Sequence, residues 1–257
     1  MIISRDQLDE VYGKRHLSYS SLKYALGDMT LWDMYMKGQL KKESDALYFG
    51  SLYDEILFDR KNAMDKYVVI DEERILEEVG AKARNNKKYV DRINAIKASM
   101  KPGQVLVNPS DWKQANEMID RLYDCGLVDL RFGGDYQVEF NVELNGVPVK
   151  GFLDCLNTDS IVDSKTTKSI KSFRYSVYDF GYDIQAWIYT SVFGMSRFYW
   201  VAQEKAYPYL PADIKASDEV LFSGEMRADA AIQNIHKFLN DEHSRNNPKK
   251  YYEVFTV

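Results

Sequence analysis

The sequence predicts an α/β protein, a mixed β-sheet flanked by helices with a helical annex ahead of it. Three features of the sequence point there. Residues 1–130 are patterned mostly as charged, amphipathic helices. From Tyr136 the pattern changes to strict alternation, with Val138, Phe140, Val142 and Leu144 two apart, as a half-buried strand requires. After a third strand the period turns helical and then strand-like again, so the sheet is not a simple meander. One domain is expected over residues 1–257. It has a helical part at 1–130, a sheet-and-helix core at 131–210, and a closing helix and tail at 211–257.

The elements follow in order. Residues 18–37 read as helix opened by Ser18 or Ser20, with Leu22, Ala25, Leu26 and Trp32 as apolar positions; Gly27 divides it into two shorter helices. A helix from Asp45 to Asp59 carries Phe49, Leu52, Tyr53 and Ile56. YVVI, within 61–70, is weakly strand-like. Residues 72–99 and 109–124 read as helices parted by Pro102-Gly103. The strand at 136–144 meets Asn145-Gly146, a hairpin turn signal, and a second strand follows over 147–156. A polar turn leads to a third strand at 161–166. A helix at 182–193 ends at Gly194, a fourth strand spans 196–205, and a long amphipathic helix lies near 217–240.

Composition narrows the function classes. With 45% hydrophobic and 28% charged residues the chain reads as a soluble globular protein. No apolar run approaches the roughly 20 residues that span a bilayer. The first residues lack the apolar stretch of a secretory signal. Two cysteines, Cys125 and Cys155, build neither a disulfide framework nor a four-thiolate cluster, so a reducing cytoplasm is the expected location. The net charge of −5 weighs mildly against a nucleic-acid partner, yet the basic residues are clustered, and segregated charge can still hold a polyanion.

The chemistry gathers around the second and third strands. A hairpin closing symmetrically about Thr158 and Asp159 sets Asp154 opposite Asp163, and alternation puts Lys165 on the face of Asp163. A one-residue slip would undo this. Facing carboxylates repel, and a divalent cation would offset them. Hard Mg²⁺ takes oxygen ligands, here Asp154, Asp163 and the backbone carbonyl of Ser164, and keeps waters and a substrate phosphate. Lys165 would either orient or deprotonate an attacking water, or stabilise charge developing on a phosphoryl centre. Taken alone, D-x8-D-x-K more often marks a solvated hairpin than a site.

GVPVKGFLDCLNTDSIVDSKTTKS followed by GYDIQAWIYT nevertheless resembles the PD-(D/E)XK nuclease superfamily. Within it the resemblance is to the exonuclease VIII (RecE-like) and lambda-exonuclease-like branch of phage recombination systems. It implies a restriction-endonuclease-like core, with Asp154, Asp163 and Lys165 as the acid and the D-x-K. Gln185 and Tyr189 would be the helical Q-x-x-x-Y element, four apart and on one face. SYSSLKYAL resembles the family's serine-rich first helix. ALYFGSLYDEILFD resembles its glycine-led helix, in which Gly50 would allow close approach and Asp54 would be a metal ligand; the family usually has His or Glu there. Glu139 matches a glutamate on the preceding strand and is either a further ligand or a solvated residue. Lys150 reads as an exposed strand lysine, while Lys168, Lys171 and Arg174 lie in a basic loop suited to guiding DNA.

The resemblance implies a Mg²⁺-dependent DNA nuclease, with Mn²⁺ able to substitute, acting on linear duplex ends in a bacterial cytoplasm, in some cases phage-encoded. A homo-oligomeric ring and a single-strand annealing partner would accompany that role; no membrane would. The alternatives are an endonuclease or flap nuclease on the same scaffold, and a module that binds nucleic acid without cutting.

Overall fold

A computed structural model of the chain describes residues 3–13, 16–40 and 45–241. In chain order the elements are α1 (Arg5–Tyr12), α2 (Tyr19–Gly27), α3 (Met29–Met36), α4 (Asp45–Phe58), α5 (Arg60–Lys66), β1 (Tyr67–Val69), α6 (Glu72–Glu78) and α7 (Lys87–Ser99). Then come β2 (Val105–Val107), α8 (Pro109–Asp124), α9 (Leu127–Arg131), β3 (Asp135–Leu144), β4 (Val147–Leu156) and β5 (Ile161–Thr167). The chain continues through α10 (Phe173–Asp179), α11 (Tyr182–Phe193), β6 (Phe198–Glu204), β7 (Pro211–Lys215) and α12 (Asp218–Asn240). They fall into two compact units: one from the residues up to 42 together with those from Gly126 onward, the other from the residues between.

The first unit is a five-stranded sheet in the order β3-β4-β5-β6-β7. All neighbours are antiparallel except β5 and β6, and the chain between those two passes through α10 and α11. The β3–β4 hairpin turns on Asn145 and Gly146, at φ 50° and 79°, the backbone that a tight two-residue turn needs. One sheet face is covered by α2, α3, α11 and α12, and its core includes Phe140, Val149, Leu153, Ile161, Phe198 and Trp200. Helix α2 starts where Ser18 caps it, Ser18 and Ser21 exchanging side-chain and backbone hydrogen bonds. Helix α12 approaches α11 through Gly224, where a Cβ would lie 2.1 Å from the Asp183 carbonyl oxygen. Asp183 is fully buried there; Arg227 Nη1 donates to both of its carboxylate oxygens at 2.8 Å, and the Ser223 hydroxyl donates to one of them at 3.0 Å.

The second unit packs α4 against α8 and pairs β1 with β2 in parallel. Its core includes Phe49, Leu52, Tyr53, Ile56, Met118, Ile119 and Leu122.

Three local expectations change. Residues 72–99 are two helices, because the chain turns at Gly80 in the left-handed region (φ 63°). Residues 60–66, ahead of YVV, are helical. The segment expected as a loop at Ser169–Arg174 opens α10 at Phe173, because Phe173 is buried and anchors a helical turn. Within its own unit Gly50 has open space where a Cβ would stand. The expected tail beyond Asp241 lies outside the described residues. No described helix is long and apolar enough to cross a membrane.

Candidate active site

β4 and β5 begin as a regular hairpin. The Asn157 N–H donates to the Ser160 carbonyl at 2.9 Å, and pairing runs through Leu156↔Ile161 to Cys155↔Val162. This is the register expected from the turn. The next step would pair Asp154 with Asp163, and there the two strands part. β5 stays with β6 as far as Thr167↔Glu204, while β4 stays with β3. The Ser164 N–H turns to the Asp154 carboxylate, donating to Oδ2 at 2.8 Å. On the other side the β3 ladder also omits Asp154. Its counterpart Gln137 sits at φ 51°, and pairing resumes at Tyr136↔Cys155. The two acids are therefore not ladder partners. They stand at the mouth of a fork.

The interior of the fork is built on Asp163, which is buried. Its Oδ1 accepts Gln185 Nε2 at 2.8 Å, and its Oδ2 is ion-paired with Lys165 Nζ. Lys165 Nζ also donates to the Ser164 carbonyl at 3.3 Å and lies 4.9 Å from the Tyr182 ring centroid. Burial disfavours the lysine's charge, but Asp163, with Tyr19 and Asp154 behind it, outweighs burial and lifts its pKa well above the usual lysine value. Lys165 is thus held as an ammonium. The carboxylate repulsion expected from the sequence is offset by this lysine within the chain, so repulsion by itself is no argument for a metal.

Helix α11 supplies the second wall. Gln185 is buried, and its Oε1 has no hydrogen-bond partner among the described residues. One turn on, Tyr189 meets Phe140 edge-on at 5.4 Å. Above it a Cβ at Gly151 would come within 2.6 Å of the Phe140 ring and 3.1 Å of Tyr189, which restricts that strand position to glycine. Burial, then Asp163, raises the Tyr189 pKa, so its phenol stays neutral.

Two residues of this neighbourhood were not read from the sequence. Tyr19 and Tyr182 stand at the first positions of α2 and α11. Burial raises both phenols' pKa values, Lys165 draws them back, and Asp163 pushes them up again. Tyr182 had a usable signal, being three residues before Gln185 and so on its helical face. Tyr19 had none, since only the packing of α2 onto the sheet face brings it here.

The other expected residues of this unit, Glu139, Lys168, Lys171 and Arg174, are exposed rather than enclosed in the fork. Glu139 is exposed on β3 and paired with Lys150 at 2.6 Å. Lys168, Lys171 and Arg174 are exposed, and the Arg174 guanidinium rests 4.8 Å from the Tyr175 ring centroid. Asp54 is half-buried on α4 in the second unit, beside Tyr53, whose pKa is raised by burial and then by Asp54. Among the described residues no three carboxylate, imidazole or thiol side chains gather as a ligand cluster. The donors at the fork are two carboxylates and the Ser164 carbonyl. An all-oxygen set of this kind fits a hard divalent cation that keeps part of its water shell.

An acid near the end of one strand, an acid and a lysine two apart on the next, and a glutamine from the second helix after it define a PD-(D/E)XK nuclease-like fold. Residues 19–250 match the family described as a PDDEXK-like domain of unknown function (DUF3799), and the chain belongs to that family. A crystal structure of a protein from Eubacterium rectale assigned as an exonuclease is similar over 100% of this chain and 96% of that one, with 18% identity and a TM-score of 0.61, which shows a shared fold. An alkaline exonuclease from Laribacter hongkongensis aligns with 77% of this chain and 100% of its own, at 12% identity and a TM-score of 0.30. Comparison with curated proteins gives no match.

Proposed function

We propose that this nuclease-like domain is a Mg²⁺-dependent deoxyribonuclease that hydrolyses phosphodiester bonds, working inward from duplex ends. The supporting observation is the fork, where Asp154, Asp163, Lys165 and Gln185 meet although the strands bearing the acids have stopped pairing.

Asp154, Asp163 and the Ser164 carbonyl would hold the cation. When bound, the cation would supply Lewis-acid polarisation of the phosphoryl oxygen and a more acidic water. Lys165, as an ammonium, would donate hydrogen bonds to a phosphoryl oxygen as charge develops there, or orient the attacking water. Gln185 keeps Asp163 Oδ1 engaged and so fixes the direction of its carboxylate. Tyr189 packs behind the strand and keeps α11 at the distance Gln185 needs. Lys168, Lys171 and Arg174 would contact the backbone of the DNA, and Glu139 would take no part.

End-labelled linear duplex and a closed circular duplex, each incubated with Mg²⁺ and with EDTA, test this reading. Mg²⁺-dependent release of label from the linear DNA alone is the expected result. Cutting of the circle would replace the end-directed mode with an endonuclease. No cleavage of any DNA would leave a module that only binds.

A further inference from the structure

Beside the fork, aromatic rings lead outward from Lys165 to the surface. Buried Trp200 meets Phe173 at 6.1 Å, Phe173 stacks on Tyr182 at 6.0 Å, and Tyr182 meets Phe180 at 5.7 Å. Tyr182 is the ring against Lys165, so Phe180 stands one ring out from the candidate catalytic lysine. Phe180 is nevertheless 50% exposed. A half-open phenylalanine forfeits much of the free energy that burying its ring would contribute, and the inner rings hold it there.

A cation accompanies it. Lys23 Nζ, from α2, lies 5.7 Å from the Phe180 ring centroid, and its stem runs along Gly181, where a Cβ would touch it at 3.3 Å. Gly181, at φ 71°, caps α11 and sets Phe180 and Tyr182 on either side of that turn. On the outer side Tyr175 and Tyr178 of α10 are also exposed, and Arg174 stacks on Tyr175. Open π-faces interleaved with cations, none of them in the hydrophobic core, match the chemistry of an unpaired nucleic-acid strand. Bases stack on rings and phosphates meet ammonium and guanidinium groups, without sequence being read.

We propose that Phe180, with Lys23 beside it, is a stacking step for an unpaired base adjoining the reacting phosphate, so that the fork receives a frayed or single-stranded end rather than an intact base pair. This rests on the nuclease reading and names the form of DNA that the site takes. An intact duplex keeps its terminal base stacked on its neighbour, and Phe180 would take over that stacking as the strand separates.

The test is binding of a short oligothymidylate bearing 2-aminopurine at the 5′ or at the 3′ terminal position, in EDTA so that nothing is cut. The expected result is fluorescence quenching at one end. Phe180→Ala should abolish the quenching and weaken binding roughly 5- to 150-fold, the worth of one stacked base. Phe180→Trp should restore both and Phe180→Leu should restore neither. An abasic terminal nucleotide should weaken the parent as much as Phe180→Ala does and should add nothing to that variant. Phe222→Ala, which alters a 63% exposed ring on α12, should bind as the parent does. Lys23→Gln should lower the salt dependence of binding by about one ion.

Quenching at neither end, parent-like binding by Phe180→Ala, or rescue by leucine would overturn the stacking step while leaving the nuclease reading in place. Absence of DNA binding by every form would overturn both. Thermal melting of each variant separates these outcomes from misfolding, to which a half-exposed position contributes little.

Discussion

The two hairpins of this sheet share one strand, β4, and treat it differently. Towards β3 it is paired along nearly its whole length, from Leu144↔Val147 to Asp135↔Leu156, interrupted only at Asp154. Towards β5 it pairs for two residues beyond the turn and then lets go. The zipped hairpin has its charged residues outside, as in the exposed Glu139–Lys150 pair. The forked one has its charges inside, where Asp163 is buried and Lys165 is mostly enclosed. Backbone hydrogen bonds consume the space between paired strands, so a site that must hold a carboxylate, an ammonium and a substrate can form only where the ladder stops. Asp154 makes that stop tolerable by accepting the Ser164 N–H that β4's backbone no longer serves.

This contrast can be tested at graded strength. Lys165→Met at the fork should have the largest effect. A loss of hydrolysis of about 10²–10³-fold or more is expected, with single-stranded DNA binding retained. The same change should tighten binding of Mn²⁺ in calorimetry, because the ammonium no longer occupies Asp163 and the Ser164 carbonyl. Parent-like turnover by this variant would remove the fork from the chemistry.

Asp154 separates charge from structure. Asp154→Asn keeps an oxygen for the Ser164 N–H but loses the negative charge, so it should melt near the parent and lose at least about 10²-fold in rate. Asp154→Ala should also leave that amide without an acceptor, which costs about 1–3 kcal/mol in denaturant unfolding. If alanine and asparagine prove equally stable, the carboxylate is not closing the ladder.

Gln185→Leu comes next. It should cost about 1–3 kcal/mol by stranding Asp163 Oδ1, and slow turnover by about tenfold through a misdirected carboxylate, with substrate affinity little changed. The zipped hairpin provides the smallest effect. Glu139→Gln breaks an exposed ion pair worth less than about 1 kcal/mol and should leave hydrolysis as it was. A large rate loss there would return Glu139 to the ligand set.

Much of this was legible before any tertiary contact was known. The bounds of β4 and α11 follow from alternation, Asn145-Gly146 and Gly194, which act within a few residues. The register of the β4–β5 hairpin follows from its turn for the same reason. Helix α10 was hidden because its anchor, Phe173, stands among exposed basic and polar residues. β7 was hidden because its short run gains strand character only by pairing with β6.

The sequence by itself determined which acids lie level across the turn, and that Lys165 sits two beyond Asp163, because strand period and turn geometry are local properties. The tertiary structure alone decided that those level acids belong to strands that separate. β5 is drawn along parallel β6 while β4 remains with β3, and no local preference records that competition. It also decided that Tyr19 and Tyr182 complete the surroundings of Lys165, because they come from helices far apart in the chain that meet only when the core on one sheet face closes.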